Sequence, residues 1–415
     1  GRVGGFFSIF FLNKLNGECI VFSDRVGTYK VFFQRTASEL RFASTYSVLV
    51  EGASTEIDPV WMKEVRHFRI ASGSHTFSPQ IRQLPAGQYG KFNPAYHLIV
   101  QEYYWQVPDR RAKSQLSMEE ACSQSLRLLH ANLEKSQVSK KKVAVLLSGG
   151  IDSSLLAALT KEHNAEAVAV TPHFINGENP ELVLAKELAK SINIEHRVIE
   201  INDDDIANAL SKVVHLIGQP IRSPHALILS CLLEKLSDEF DAVVFGEGAD
   251  TIFGYQGIKQ AEVRFCKHRK YSTLKPISGA FKLLSHIPQI AKLDKLINES
   301  LIEQVSNSWS LDYTEEVKSL FPNIDSIASE IEMLSWIGLD SCQLSKLSSE
   351  QFNNLVRKFL IQVGNFDHFY VMGMISNYYN LELISPFFDI DLVEFAAKLN
   401  DDLYFGQGFV KPVLR

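Results

Sequence analysis

The segment Ser148-Gly149-Gly150-Ile151-Asp152-Ser153-Ser154 concentrates more chemical potential than any other stretch of the chain. It follows the continuous apolar run Val143 to Leu147 and precedes a helical pattern over Ser153 to Glu162, so it lies where a strand hands over to a helix. Glycines at such a turn let the backbone approach a ligand, and the free N–H groups and positive end of the helix receive phosphate oxygens. Ser148, Ser153 and Ser154 add hydroxyl donors. No Gly-Lys-Ser/Thr closes the segment, so it is not a Walker A loop, and it is not GxGxxG. A plain capped turn, with Asp or Ser at the helix cap and Gly for geometry, would account for the same spacing without a ligand.

The elements that must hold this turn alternate in type. After the strand Val143 to Leu147 come strands over Glu166 to Val170, His196 to Ile201 and Ala242 to Phe245, with helices over Pro180 to Ile192 and Asp205 to Leu216 between them. Continuous apolar strands alternating with helices predict an α/β fold with a doubly wound parallel sheet. From Glu262 onward the pattern is helices with polar connections, a helical C-terminal elaboration. Residues 106–142 read as a linker and leading helix, amphipathic over Met118 to Leu133, with Lys140-Lys141-Lys142 as a solvated helix end. Residues 1–105 read as short strands, Cys19 to Ser23, Lys30 to Gln34, Arg41 to Ser44, Tyr89 to Phe92 and His97 to Gln101, with one helix near Pro59 to His67. They are too few for a closed sandwich, so a partial antiparallel β-sandwich with open edges is expected, unless further chain, a second copy or another partner covers them. The expected domains are therefore 1–105, 106–142 and 143–415.

Bulk properties exclude little. The chain has 415 residues, 46% of them hydrophobic, enough for two or three cores, and its formal charge of −6 argues against a chain-wide electrostatic grip on nucleic acid. The run Phe6 to Leu12 is too short to span a bilayer and lacks the features of a signal peptide; it reads as a buried strand. No Met stands at position 1, and the chain is expected to be a trimmed piece. Cys19, Cys122, Cys231, Cys266 and Cys342 stand singly and read as reduced, buried thiols of a cytoplasmic protein. His67, His75, His268 and His368 have no metal-ligand spacing and read as solvated or core side chains.

The Ser-Gly-Gly-Ile-Asp-Ser-Ser segment resembles the pyrophosphate loop of the N-type ATP pyrophosphatases, and three further segments resemble the asparagine synthetase family within them. Phe245-Gly246-Glu247-Gly248-Ala249-Asp250 with Phe253-Gly254-Tyr255 is similar to the family's second signature. Ser385-Pro386-Phe387-Phe388-Asp389 resembles its Pro-Phe-Leu-Asp segment, and Lys411-Pro412-Val413-Leu414-Arg415 its Lys-x-x-Leu-Arg motif. Asp24-Arg25-Val26-Gly27, Phe42-Ala43-Ser44 and Leu84-Pro85-Ala86-Gly87 resemble the second half of the family's glutaminase domain.

The resemblance implies ATP and Mg²⁺ as cofactors. It implies that Asp152 and Asp250 hold the metal against the phosphates and that Leu147, Val170, Phe245 and Gly246 line the adenine and ribose, mainly through backbone groups. It implies that Lys411 stabilises transition-state charge and that Glu247 acts as general base on the attacking nitrogen. Read alone, Lys411 would pass for a surface lysine and Glu247 for a salt-bridge partner.

Some positions depart from the pattern. Gln219-Pro220-Ile221-Arg222 stands where the family carries Thr-Thr-Ile-Arg; Arg222 keeps the means to pair with a substrate carboxylate, but both hydroxyls are lost. Thr251 replaces a glutamate, and Cys19, inside a strand, is no catalytic terminal cysteine. The expected function is an AMP- and pyrophosphate-forming amide synthetase acting on a small-molecule or peptide carboxylate, with an amine, ammonia or glutamine as nitrogen source. An intramolecular cyclase of the β-lactam or lasso-peptide type and a non-catalytic binding protein are the alternatives, and neither nucleic acid nor a membrane is expected as a partner.

Overall fold

Antiparallel pairing of short strands builds the N-terminal sheets in the computed structural model. The structure describes residues 5–50, 56–68, 71, 73–108, 116–175, 177, 179–221, 223–254, 256–271, 287, 343, 346–364, 366–405 and 410–415. In chain order come β1 (Ser8–Leu12), β2 (Cys19–Ser23), β3 (Val31–Arg35), β4 (Leu40–Ala43), α1 (Ser47–Val50), α2 (Pro59–Phe68), β5 (Ile81–Leu84), β6 (Gln88–Phe92) and β7 (Leu98–Tyr103). They form two antiparallel sheets, ordered β1-β2-β6-β7 and β4-β3-β5. Cys19, Val21, Phe33, Leu84 and Phe92 pack together, with Phe33 and Phe92 edge to face, centroids 5.2 Å apart.

The run over Phe6 to Leu12 is not a buried strand as the sequence suggested. All five residues of β1 are exposed, Phe10 and Phe11 by more than half. The reason is position: β1 is an edge strand, paired only with β2, and apolar composition alone cannot place a strand inside a sheet.

A capping box at Ser117 and Glu120 opens α3 (Met118–Lys135), which leads into the α/β part. There β8 (Val143–Leu146), α4 (Ile151–His163), β9 (Val168–Phe174), α5 (Glu181–Ser191), β10 (Glu195–Ile201), α6 (Asp203–Ile217), α7 (His225–Leu236) and β11 (Ala242–Val244) follow. After α8 (Ala249–Phe253) and α9 (Gln256–Tyr271), the described chain resumes with α10 (Ser349–Phe359), α11 (Phe366–Tyr378), β12 (Glu382–Ile384), α12 (Ile390–Ala396) and α13 (Asp402–Phe405). The five strands are parallel and ordered β10-β9-β8-β11-β12, so successive connections leave β8 first to one side and then to the other. This is the doubly wound α/β arrangement, with its switch point between β8 and β11.

The two-residue period of β8 divides the core. Val143 and Val145 face α3, α4 and α12, while Ala144 faces α6, α7 and α11. Phe32, Tyr46 and Ile81 of the N-terminal part join the second of these cores, where Phe32 meets the rings of Tyr46 and Tyr370 edge to face, each at 5.5 Å.

Several elements were not predicted, α1, β5, α7, α8 and β12 among them. The α7 helix buries Ala226, Leu229, Cys231, Leu232, Leu233 and Leu236 around most of its circumference, which leaves no polar face to give it a period. β12 is three residues long in a region read as helical, and exists because Leu383 and Ile384 pair with β11. Of the cysteines, Cys19 and Cys231 are buried and Cys266 is exposed, against expectation, because it lies on a polar face of α9; Cys342 lies outside the described residues.

Gly248 shows how tightly the C-terminal segment is seated. Its φ is +100°, and a Cβ there would come within 2.1 Å of the Phe388 ring. Gly248→Ala is expected to cost about 2 kcal/mol or more, from left-handed strain plus overpacking. Urea denaturation checks this, and a midpoint unchanged from wild type would show that Phe388 does not close on this turn.

Candidate active site

The switch point opens a crevice beyond the ends of β8 and β11, and two turns lie against each other there. On the β8 side the Leu147 N–H donates to the Val170 carbonyl (2.9 Å), and the chain then turns through Ser148 to Gly150, which caps α4. Gly149 has φ +79°, and a Cβ on it would lie 2.7 Å from Leu184 Cβ, so both conformation and the approach of α5 require glycine. The turn is wired internally: the Ser148 N–H donates to Ser153 Oγ (3.2 Å), the Gly150 N–H to Ser148 Oγ (3.3 Å), and the Ser153 hydroxyl to the Gly150 carbonyl (3.1 Å). On the β11 side, a Cβ on Gly246 would lie 3.3 Å from the Ser153 backbone nitrogen. Two glycine-containing turns thus bring Glu247 and the first turn of α4 to one place.

Lys411 closes the site. It is 6% exposed, its Nζ pairs with Asp152 Oδ2, and it lies 2.6 Å from Asp250 Oδ1. Its backbone is left-handed, φ +55°, held by its N–H on the Tyr404 carbonyl (3.0 Å) and by Pro412 after it. A non-glycine residue in that region is strained by order 1 kcal/mol or more, and here it aims a cation between two carboxylates.

The carboxylates differ in environment. Burial pushes Asp152 above its ordinary range; Lys411 pulls it down, and the charges of Asp250 and Glu247 push it up again. Asp152 Oδ1 is buried and makes no hydrogen bond among the described residues. Glu247 Oε2 lies 3.3 Å from His368 Nε2. Burial raises the Glu247 carboxyl, but His368, the charge of His225 and the Gly248 N–H outweigh burial and hold it below the usual carboxylate value.

A cavity of about 490 Å³ joins these groups. Ser148, Gly150, Asp152, Ser153, Phe245, Gly246, Glu247 and Asp250 line it, and so does Leu147. Gly149, Ser154 and Val170 do not. The Val170 side chain is fully buried in the core behind β8 and β9, so only its backbone is left to meet a ligand. Gly149 faces α5, and Ser154 lies one residue beyond the turn that meets Gly246. Gln219, Pro220 and Ile221 line the cavity, while Arg222 lies outside the described residues.

Three contributors carried no signal in the sequence. His368, read as an isolated histidine, lines the cavity and pairs with Glu247. His225 and Trp61 line it too, the latter from the N-terminal part. Nothing in spacing could have linked them, because they meet only through the packing of α2, α7 and α11.

The residues present fit a divalent cation. Asp152 and Asp250 share one ammonium, and the unpartnered Asp152 Oδ1 is a buried acceptor short of positive charge. Among the described residues no group of three or more His, Cys, Asp or Glu forms a protein-only cage, so Mg²⁺ held here would draw its other ligands from phosphate and water. Among the described residues no helix is long and apolar enough to cross a membrane.

A glutamine amidotransferase domain profile matches residues 1–105. Asparagine synthetase [glutamine-hydrolyzing] 1 of Bacillus subtilis is 23% identical over 309 residues, covering 73% of this chain and 47% of that protein. The human asparagine synthetase [glutamine-hydrolyzing] is 32% identical over 142 residues, 32% of this chain and 25% of that protein. The chain thus spans about half the length of the Bacillus subtilis relative. Among solved structures, NMN synthetase from Francisella tularensis is 14% identical, covers 62% of this chain and 97% of that one, and superposes with a TM-score of 0.29. The asparagine synthase profile matches residues 125–415, which include both turns and Lys411, and the chain belongs to the asparagine synthase family.

Proposed function

We propose that the protein forms amide bonds at the expense of ATP. A substrate carboxylate attacks the α-phosphate, pyrophosphate leaves, and an amine or ammonia then displaces AMP from the acyl-adenylate. The observation that carries this reading is the Lys411 ammonium set between Asp152 and Asp250 at the first turn of α4, beside the cavity that Glu247 lines.

Each residue then has a task. The N-terminal turn of α4 and the hydroxyls of Ser148 and Ser153 receive phosphate oxygens. Leu147, Phe245 and Gly246 line the nucleoside end; Arg222, outside the described residues, is the candidate partner of a substrate carboxylate from its sequence position alone. Asp152 and Asp250 would hold Mg²⁺, which when bound neutralises phosphate charge. Lys411 stabilises the charge that builds on the α-phosphate as the carboxylate attacks. Glu247 takes the proton of the attacking nitrogen. That nitrogen becomes strongly acidic once bonded to the acyl carbon, so a carboxylate with a lowered pKa accepts it and stays ionised at neutral pH.

Two half-reactions separate these roles. Lys411→Ala is expected to slow acid-dependent ATP–pyrophosphate exchange by about 100- to 1,000-fold. Glu247→Gln is expected to leave exchange within about threefold of wild type while slowing amide formation by about 100-fold or more. Equal losses in both half-reactions for Glu247→Gln would remove its role as base. Failure of the full protein to exchange pyrophosphate with any carboxylic acid would overturn the reading.

His368 supplies a pH test. The Glu247 pKa is lowered, so its contribution to stability is present above the ordinary carboxylate value and is lost as pH falls through the lowered one. Its activity as base is lost over the same descent. His368→Gln removes the first of the groups that oppose burial, so the acid limb of the amide-forming kcat/KM profile is expected to move to higher pH. An unmoved limb would show that His368 does not set the state of Glu247.

A further inference from the structure

The cavity has two unlike ends. Its ionic part is Asp152, Asp250, Glu247 and His368; the rest of its wall includes Trp61, Pro220, Ile221, Leu229, Tyr370 and Met372. These six come from α2, the segment entering α7, α7 itself and α11. Trp61, Leu229, Tyr370 and Met372 are each less than one-tenth exposed, so they form an interior surface. The Tyr370 hydroxyl accepts the Tyr46 N–H (3.4 Å), which leaves its ring as the wall.

Trp61 is fixed with unusual care for a residue of the N-terminal part. Asp58 Oδ1 accepts the N–H groups of Val60 and Trp61 (2.8 and 3.0 Å), which caps α2 at its first turn. Asp58 Oδ2 takes Arg82 (3.0 Å) and His75 (2.8 Å), tying that cap to the neighbouring strand. Burial pushes the Asp58 carboxyl up, but His75, the Trp61 N–H and Arg82 outweigh it and bring it down to about 2. The indole packs edge to face on Phe77, centroids 5.1 Å apart. A rigid aromatic wall costs little conformational entropy when a ligand docks on it.

We infer that this cavity takes a carboxylic acid with an apolar hydrocarbon body, aliphatic or aromatic, and that Trp61 is a specificity-determining residue for it; the inference rests on the adenylation reading above. A second carboxylate laid against Leu229, Met372 and the ring faces of Trp61 and Tyr370 would be desolvated against groups that offer it no hydrogen bond, whereas each methylene laid there gains hydrophobic free energy. Apart from the ionic part and the Ser148 and Ser153 hydroxyls, the polar side chains of the lining are Gln219 and Ser223 in the segment entering α7 and His225 at its first residue, so α2 presents an indole and α11, beyond His368, a phenol ring and a thioether. Trp61 thereby makes the N-terminal part a wall of the substrate cavity.

The test is acid-dependent pyrophosphate release by the full protein with Mg-ATP and butanoate, hexanoate, octanoate, 3-phenylpropionate or aspartate. The KM is expected to fall roughly tenfold for each two added carbons until the wall is covered, with aspartate at least about tenfold poorer in kcat/KM than octanoate. Trp61→Ala is expected to raise the octanoate and 3-phenylpropionate KM by about 10- to 100-fold, with kcat and the KM for ATP within about threefold, and Trp61→Phe to restore most of the loss. Should Trp61→Ala not fold, Trp61→Phe and the chain-length series on wild type carry the test. Aspartate as the best acid, or no dependence on chain length, overturns the inference and leaves adenylation standing. Equal changes in the KM for ATP and in kcat make Trp61 structural and remove its role. No release with any acid overturns the adenylation reading, and this inference with it.

Discussion

One ammonium between two carboxylates is the interaction on which the site depends. Asp152, Asp250 and Lys411 come from the start of α4, the start of α8 and the segment after α13, and a buried lysine without them would carry an uncompensated charge. Removing one partner of such a pair typically costs about 3–5 kcal/mol, so the three segments must arrive together or the site is destabilised. The crossover at β8 supplies the first two, because strands β8 and β11 are neighbours and both turns leave from the same edge. The third arrives through the left-handed backbone at Lys411, a local strain that the hydrogen bond to Tyr404 and the ion pairs offset.

Close approach is the second constraint. Gly149, Gly246 and Gly248 are each positions where a Cβ would press on a neighbour, respectively α5, the Ser153 backbone and the Phe388 ring. The same glycines that suggest a phosphate turn are therefore also packing residues, which is why a capped-turn reading of the motif was reasonable. The unpartnered Asp152 oxygen and the cavity beside it, neither of which a structural turn requires, support the proposed phosphate turn.

The two parts of the chain are less separate than their patterns suggest. Phe32 faces one core while its neighbour Phe33 faces another, so β3 is shared between the N-terminal sheets and the α/β unit. Gly373 of α11 packs its backbone on Thr28, and Trp61 reaches the cavity from α2. An interface of this kind couples the position of the N-terminal sheets to the shape of the cavity.

Periodicity and spacing determined the alternation of strands and helices and the turn at Ser148–Ser154, and the resemblance of short motifs to a known family pointed to Asp152, Glu247, Asp250 and Lys411 as candidate site residues, since backbone preference and short motifs are local properties of the chain. The strand order, the exposed position of β1, the existence of β12 and the retreat of Val170 into the core were decided by pairing between distant segments. Likewise His368 and Trp61 have ordinary neighbours in sequence, and only the packing of α2 and α11 against the sheet brings them to the cavity. Local chemistry can name the groups that react, but the distances between them and the walls around them are set by contacts across hundreds of residues, which no window of sequence contains.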